Sequence, residues 1–529
     1  MLRGMPDPQV GAHAPQRFAA EAPARWRAVL GGLAAVSAGL GVAEVLAAVL
    51  SPPASPLFAA GSLVIDVSPS WLKESVIALV GTADKPLIIA CVVLLAAVVA
   101  GVAGLVEFSR PPWGRAIVGA LGAAALFAAV SRAGASLVSW VPSLAATVVG
   151  VWLLALLTRR AHEVVSARDA EGFAAARRRF LIQSGLTAGL GVLAVIGGRV
   201  AAASAQAVDA ARRLFTLPEP AVAAPPVPAT AVLDVPGITP LVTANKDFYR
   251  IDTALIVPSV DPAEWSLTVT GLVDREVTLS FDELLALPLE ESYTTLACVS
   301  NYVGGGLIGN ALWLGYPIRH VLAEAGPRAG TDMVLSRSVD GFTASTPLAA
   351  LTDERNAILA VAMNGEPLPA EHGFPVRMVV PGLFGYVSAT KWVTELRVTR
   401  FADDAAYWTR RGWSARGPVK LSSRIDVPRK TQRVSAGTVT VAGVAWAQHT
   451  GVSRVEVRVD DGPWSDAVLA DAISADTWRQ WWFEWDASGG GHELTVRATD
   501  ANGVVQTAEY ADVVPDGATG HHSVFITVA

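Results

Sequence analysis

The pattern of apolar and polar positions changes near residue 200. Before it, apolar residues run in long stretches, at 28–50, 87–106, 116–131, 133–157 and 180–198. A helix needs about 20 residues to cross roughly 30 Å of hydrocarbon, so the pattern predicts five transmembrane helices, the third of them short. Gly and Ala recur in these stretches, as expected where helices pack closely in lipid. Residues 51–86 read as an outside loop with an amphipathic segment over 71–79.

Beyond residue 200 the pattern is that of folded aqueous domains. Residues 216–240 hold seven prolines, which suit an extended spacer rather than helix or central strand. The run WSLTVTG over 265–271 alternates at period two, 281–287 has helical spacing after Ser280 as an N-cap, and 376–380 is an apolar run closed by Pro381 and Gly382. This predicts an α+β domain. After about residue 419, strand-like runs at 438–445, 452–460, 481–485 and 493–498 are separated by turns at Asp461-Gly462 and Asn502-Gly503. That spacing predicts an immunoglobulin-like β-sandwich, with Trp478, Trp481, Trp482 and Trp485 in its core and edge. The predicted organisation is a membrane domain over 1–200, a linker over 201–240, an α+β domain over 241–405 and a sandwich over 406–529.

Composition sharpens this picture. Of 529 residues 52% are hydrophobic and 17% charged, too apolar for a purely soluble or a disordered chain. Residues 1–215 carry 18 basic and 11 acidic side chains, and the remainder 23 basic and 36 acidic. An acidic outer half argues against nucleic-acid binding. Two cysteines, Cys91 and Cys298, exclude a disulfide scaffold, a CxxC redox motif and a four-cysteine zinc site.

Charge placement sets an orientation. Arg3, Arg17, Arg25 and Arg27 precede the first span, Arg110 and Arg115 follow the second, and Arg159, Arg160, Arg168 and Arg177–Arg179 lie between the fourth and fifth. The other connections carry Lys73, Lys85 and Arg132. The positive-inside rule then puts the N-terminus in the cytoplasm and the residues after about 200 outside, in a multi-pass protein of the cell membrane surrounded by lipid. Arg177-Arg178-Arg179-Phe180-Leu181 matches a twin-arginine export signal as well as a plain positive anchor. Glu44 and Arg132 are the intramembrane charges, read as an ion pair or as snorkelling side chains. No histidine falls in a predicted span, His162 being read as loop, so no membrane haem is predicted.

Cys298 is the one cysteine of the outer half, at the end of an apolar run and before Gly304-Gly305-Gly306. Alone it is either a buried small apolar residue or a soft metal ligand. Its surroundings are distinctive: Asp247-Phe248-Tyr249-Arg250 before it, Ile308-Gly309-Asn310-Ala311-Leu312-Trp313 after it, then MNGEPLP from Met363, HGFPVRMVVPG from His372, and Lys391-Trp392. Residues 241–529 thereby resemble the sulfite oxidase family of molybdopterin enzymes, with the sandwich matching that family's C-terminal domain. The resemblance implies a molybdenum-molybdopterin cofactor with Cys298 as metal ligand and catalytic residue. It implies that His372 and Arg377 hold the pterin and its phosphate, with Ser388, Thr390 and Lys391 in a third contact. Asn245, Tyr249 and Arg250 fall in the first cofactor-contacting segment, and Arg337 and Ser338 in another. A homodimer through the sandwich is also implied.

Two departures bear on substrate. Sulfite-oxidising members follow the cysteine with AGNRR, where this chain has Val299-Ser300-Asn301-Tyr302-Val303. Their RRDY is replaced by Arg410-Arg411-Gly412-Trp413. The pocket thus loses a cation and two polar groups and becomes more apolar. The expected activity is oxygen-atom transfer at a small, sulfur-containing substrate, with electrons exchanged with a separate partner. Two alternatives stand beside it: a methionine sulfoxide-type reductase, and a non-catalytic binding or assembly protein on the same fold.

Overall fold

The computed structural model describes residues 22–69, 72, 76, 84–132, 135, 137–203, 212 and 215–529. It divides into two compact units, 1–204 and 205–529. Arg3 and Arg17, and most of the segment expected to be amphipathic over 71–79, lie outside the described residues.

The first unit is helical: α1 (Ala22–Leu50), α2 (Pro56–Val67), α3 (Asp84–Ser109), α4 (Trp113–Val130), α5 (Val141–Ser166) and α6 (Ala170–Ala203). All but α2 are long and apolar enough to cross a membrane. Small residues let α1 lie directly on its neighbours: a Cβ at Gly32 would come within 3.0 Å of the Gly104 Cα on α3. Without a hydrophobic drive between helices in lipid, such close backbone packing is a main source of association.

The helices outrun the apolar stretches that announce them. His162, expected in a loop, lies instead on α5, its ring stacked 4.2 Å from that of Phe108. The expected pairing of Glu44 is present, but its partner is Arg199, at 3.5 Å, with the Ser55 hydroxyl donating to Glu44 at 2.6 Å. Glu107, missed in the charge survey, is buried and pairs with Arg115 at 2.8 Å. Arg177–Arg179 are exposed on α6.

The second unit begins with extended chain. The proline-rich segment lies along this unit: Ala221 N–H donates to Leu289 O at 2.7 Å, Leu233 N–H to Gln480 Oε1 at 2.8 Å and Thr239 N–H to Asp426 Oδ2 at 3.0 Å. Two sheets follow. One is ordered β3 (Glu290–Ala297), β4 (Ile308–Pro317), β7 (Ile358–Met363), β8 (Glu366–Pro367), with β9 (Arg377–Val379) also on β7. The other is ordered β2 (Val277–Ser280), β1 (Ser266–Gly271), β10 (Val393–Thr399), β5 (Met333–Ser338), β6 (Thr343–Pro347). The alternating run becomes β1, and Ser280 caps the helix α7 (Phe281–Leu285) in a reciprocal capping box with Glu283. The apolar faces of both sheets and of helix α8 (Ile318–Ala325) bury Leu267, Val269, Leu284, Ile318, Leu322 and Leu359 completely.

The sandwich packs a sheet of β11 (Ser422–Val427), β13 (Gly437–Trp446), β17 (Arg479–Ala487) and β16 (Val468–Leu469) on one of β12 (Arg433–Val434), β19 (His522–Val528), β18 (Gly490–Asp500), β14 (Val452–Val459) and β15 (Ser465–Asp466). Inward residues Val441, Val455, Trp481, Leu494 and Ile526 form its core. Trp478 instead joins the α+β core, its indole N–H donating to Leu241 O at 2.8 Å.

Candidate active site

Cys298 follows the buried end of β3. Its N–H donates to Leu307 O at 2.9 Å, and Asn301 N–H donates to Cys298 O at 3.1 Å. The side chain is 8% exposed. Burial pushes its thiol pKa up, and hydrogen bonds from Ser300 oppose part of that rise. Tyr249 faces it, and its phenol is held protonated first by burial and then by the sulfur's developing charge.

Beside this pair stands a cluster of cations, Arg377 and Lys391 buried and Arg250 half-buried. Arg377, on β9 beside β7 of the first sheet, is 5% exposed. Its guanidinium donates to His372 O at 3.1 Å and lies 5.1 Å from the centre of the Trp313 ring on β4. His372 Nε2 is 3.1 Å from Asn245 O. Asn245 donates to Met363 O at 3.1 Å and accepts from Asn364 at 2.8 Å. Lys391 Nζ meets Asp252 at 2.7 Å and Glu371 O at 2.9 Å, and Arg250 meets the same Asp252 oxygen at 2.9 Å. Gly373, at φ +114°, lets the chain pass between Arg377 and Lys391: a Cβ there would lie 3.0 and 3.2 Å from their Cβ atoms.

Two of these cations, Arg250 and Lys391, therefore share one carboxylate. Among the described residues Arg377 has no carboxylate within ion-pair distance. The electrostatic result is consistent throughout. Burial draws Arg377 down to about 10 and Lys391 down to about 8 against the pull of Asp252. His372 falls to about 4, by burial and then by Arg377 and Lys391. A desolvated cation without a carboxylate, as Arg377 is, is costly in a finished fold and is what a buried anion needs. Ser338 adds a buried hydroxyl that has no hydrogen-bond partner among the described residues.

The structure thus brings together Cys298, Tyr249, Asn245, Arg250, His372, Arg377 and Lys391. Thr390 is buried nearby, its hydroxyl 2.7 Å from that of Ser336. The hydroxyl of Ser388 is used locally, donating to Phe384 O at 3.0 Å. Arg337 is not brought into the group: strand alternation turns it to the opposite face of β5 from Ser336 and Ser338, where it pairs with Glu395 at 3.0 Å. Sequence reasoning missed Asp252 and Ser336. The first is two residues from Arg250 and the second shares a strand face with Ser338, so spacing alone could have raised both.

The residue after the thiol lies in apolar surroundings. Val299 is buried, and a Cβ at Gly517 would touch both Val299 and Phe384. Trp413 is 5% exposed and packs 5.8 Å from Tyr386 and 6.1 Å from Trp408. Arg410 donates to Ala405 O, and Arg416 pairs with Asp332 at 3.8 Å, both at the surface.

This fold and donor set are those of a molybdopterin-binding domain. Residues 254–408 match the oxidoreductase molybdopterin binding domain, and residues 422–510 match a bacterial Ig domain. Mitochondrial sulfite oxidase of Homo sapiens is 32% identical over 302 residues, covering 48% of this chain and 55% of that protein. Sulfite oxidase of Gallus gallus is 30% identical over 321 residues, covering 51% and 69%. The uncharacterized oxidoreductase YuiH of Bacillus subtilis is 36% identical over 157 residues, covering 30% and 76%. The chain belongs to the sulfite oxidase family. It spans about half the length of the mammalian relatives it matches.

The family implies a molybdenum cofactor, and the residues present fit one. A buried sulfur supplies a soft ligand, three cations and an unpartnered Ser338 hydroxyl suit a phosphate-bearing anion, and neutral His372 and Tyr249 suit a polar heterocycle.

Proposed function

We propose that the chain is a membrane-anchored, extracytoplasmic molybdopterin enzyme acting on a small, sulfur-containing substrate. The carrying observation is the buried Cys298 thiol beside three cations that have one carboxylate, Asp252, among them. The cofactor, when bound, supplies two-electron oxygen-atom transfer. The chain's own residues do the rest. Cys298 presents its sulfur to the metal. Arg250, Arg377 and Lys391 hold the phosphate, and Arg377 is pre-aimed by His372 O and Trp313. Neutral His372 and protonated Tyr249 offer hydrogen bonds without adding charge. Buried Val299 and Phe384 exclude water from the flank of the Cys298 segment, which strengthens the electrostatic contacts there.

The five helices and the arginine distribution support anchoring in the cell membrane with the N-terminus inside, and Arg177–Arg179 support twin-arginine export. A separate electron partner, a lipid-embedded first unit and a homodimer through the sandwich belong to the same reading.

A second reading has an observation of its own. Tyr302 and Val303 stand where sulfite-oxidising relatives carry their two arginines, and Arg410 and Arg416 are occupied at the surface. This favours a neutral substrate such as a sulfoxide over a small dianion. The purified chain is tested for molybdenum and pterin, then assayed with sulfite and with methionine sulfoxide, using artificial electron carriers. Turnover of one substrate assigns the reaction. A chain made with cofactor supply that holds neither metal nor pterin removes the proposal.

A further inference from the structure

The loop that follows Cys298 is held from outside. Residues 299–307 close on themselves through Cys298 N–H to Leu307 O at 2.9 Å and Leu307 N–H to Asn301 Oδ1 at 2.8 Å. Between these ties lie three consecutive glycines, the residues that lose most freedom on ordering. Within that stretch the loop adds one tie of its own, Gly305 N–H to Tyr302 O at 2.8 Å.

Two side chains of the sandwich reach it. Arg424, on β11, is 8% exposed and uses three arms of its guanidinium. It donates to Gly305 O at 2.7 Å, to the Thr239 hydroxyl at 2.8 Å and to Asp426 Oδ1 at 2.7 Å. His522, at the start of β19, accepts from Ile425 N–H through Nδ1 at 3.0 Å, which fixes its ring orientation. That ring lies flat against Gly304: a Cβ at Gly304 would overlap it, and the glycine sits at φ +76°. The arginine takes the loop's carbonyl and the histidine covers its backbone. Both stand on adjacent, hydrogen-bonded parts of a rigid sandwich.

We infer that Arg424 and His522 are positioning residues for the site: they set the path of residues 299–307 and so the placement of Val299, Ser300 and Asn301 beside the thiol. Neither touches the sulfur. Their action runs through the loop, and the part that concerns catalysis rests on the reading of Cys298 as the site's sulfur. A guanidinium with three acceptors cannot be replaced by an ammonium without losing part of the fork. Arg424→Lys should therefore loosen the loop less than Arg424→Ala.

The test uses the full-length, cofactor-loaded chain with Arg424→Ala, Arg424→Lys and His522→Ala. Hydrogen exchange is followed peptide by peptide, and KM and kcat are measured on whichever substrate is turned over. The expected result is exchange about tenfold faster or more at 301–307, with the flanking strands β3 and β4 unchanged. KM should rise several-fold more than kcat falls, at unaltered molybdenum content, and Arg424→Lys should be intermediate. Unchanged loop exchange in both Arg424→Lys and His522→Ala overturns the inference, as does acceleration spread evenly over the whole sandwich. Should Arg424→Ala fail to fold, the other two variants decide. A chain that lacks molybdenum yet shows the selective loop acceleration would end the reading of Cys298 and leave the clamp standing.

Discussion

Arg377 donates to the backbone oxygen of His372 at 3.1 Å while its guanidinium faces the Trp313 ring at 5.1 Å. The contact orients the cation without neutralising it. Replacing a charge-assisted hydrogen bond to a buried anion costs about 1.5–3 kcal/mol, or roughly 10–150-fold in affinity. Arg377→Gln should lose cofactor to about that extent, and Arg377→Lys should recover only part. Pterin fluorescence after release from equal amounts of folded protein measures this. Full retention of pterin in Arg377→Gln would dissociate Arg377 from the phosphate.

Cys298→Ser replaces a thiolate donor with a hydroxyl of similar size. Activity should fall by about three orders of magnitude or more, comparable to removal of an essential group, while the pterin stays bound through the cation cluster. A sulfur-to-metal absorption band should vanish with it. Undiminished turnover in this variant would place the chemistry elsewhere.

His522 is drawn down to about 4, by burial first and Arg424 second. It is neutral in the fold, whereas the unfolded chain takes up a proton near 6.5. Stability is therefore lost as pH falls from about 6.5 toward 4. Partial exposure of the ring discounts the effect to about 1–2 kcal/mol between pH 7 and 5. His522→Gln, which still offers an acceptor to Ile425 N–H, should flatten this part of the profile in chemical denaturation. An unchanged slope would mean that His522 does not hold its pKa low in the folded chain.

Glu44 is buried in the first unit and serves both Arg199 and Ser55. Removing one partner of such a pair leaves the other without compensation. Because Arg199 is 28% exposed, the cost of Glu44→Gln should be about 1–3 kcal/mol, read as a fall in Tm in detergent. The double variant with Arg199→Gln should cost less than the sum of the two. Strict additivity would show that the two groups are not coupled.

Much of this was legible in the chain. Five apolar stretches announce five long helices, because lipid imposes length and composition on a spanning segment. Cys298, His372, Arg377 and Lys391 were found as a spaced set, and their burial in one place follows from strands whose alternation could be read directly. Helix ends were harder. His162 sits on a helix because polar residues extend a helix past its apolar stretch at no cost in water. Arg337 and Ser338 show the limit of segment matching: adjacent residues on a strand face opposite ways, so a correct segment gives at most one of them. The role of Asp252 was invisible because a single acidic residue has no signature until Arg250 and Lys391 are seen to meet on it.

The proline-rich stretch is fastened to Leu289, Asp426 and Gln480, and Phe215, Leu217 and Val227 pack on the catalytic core. Anyone trimming the helices away to obtain a water-soluble fragment should cut ahead of residue 215. A fragment started at 241 would strip the lining from one flank of the enzyme and leave Arg424 one ligand short.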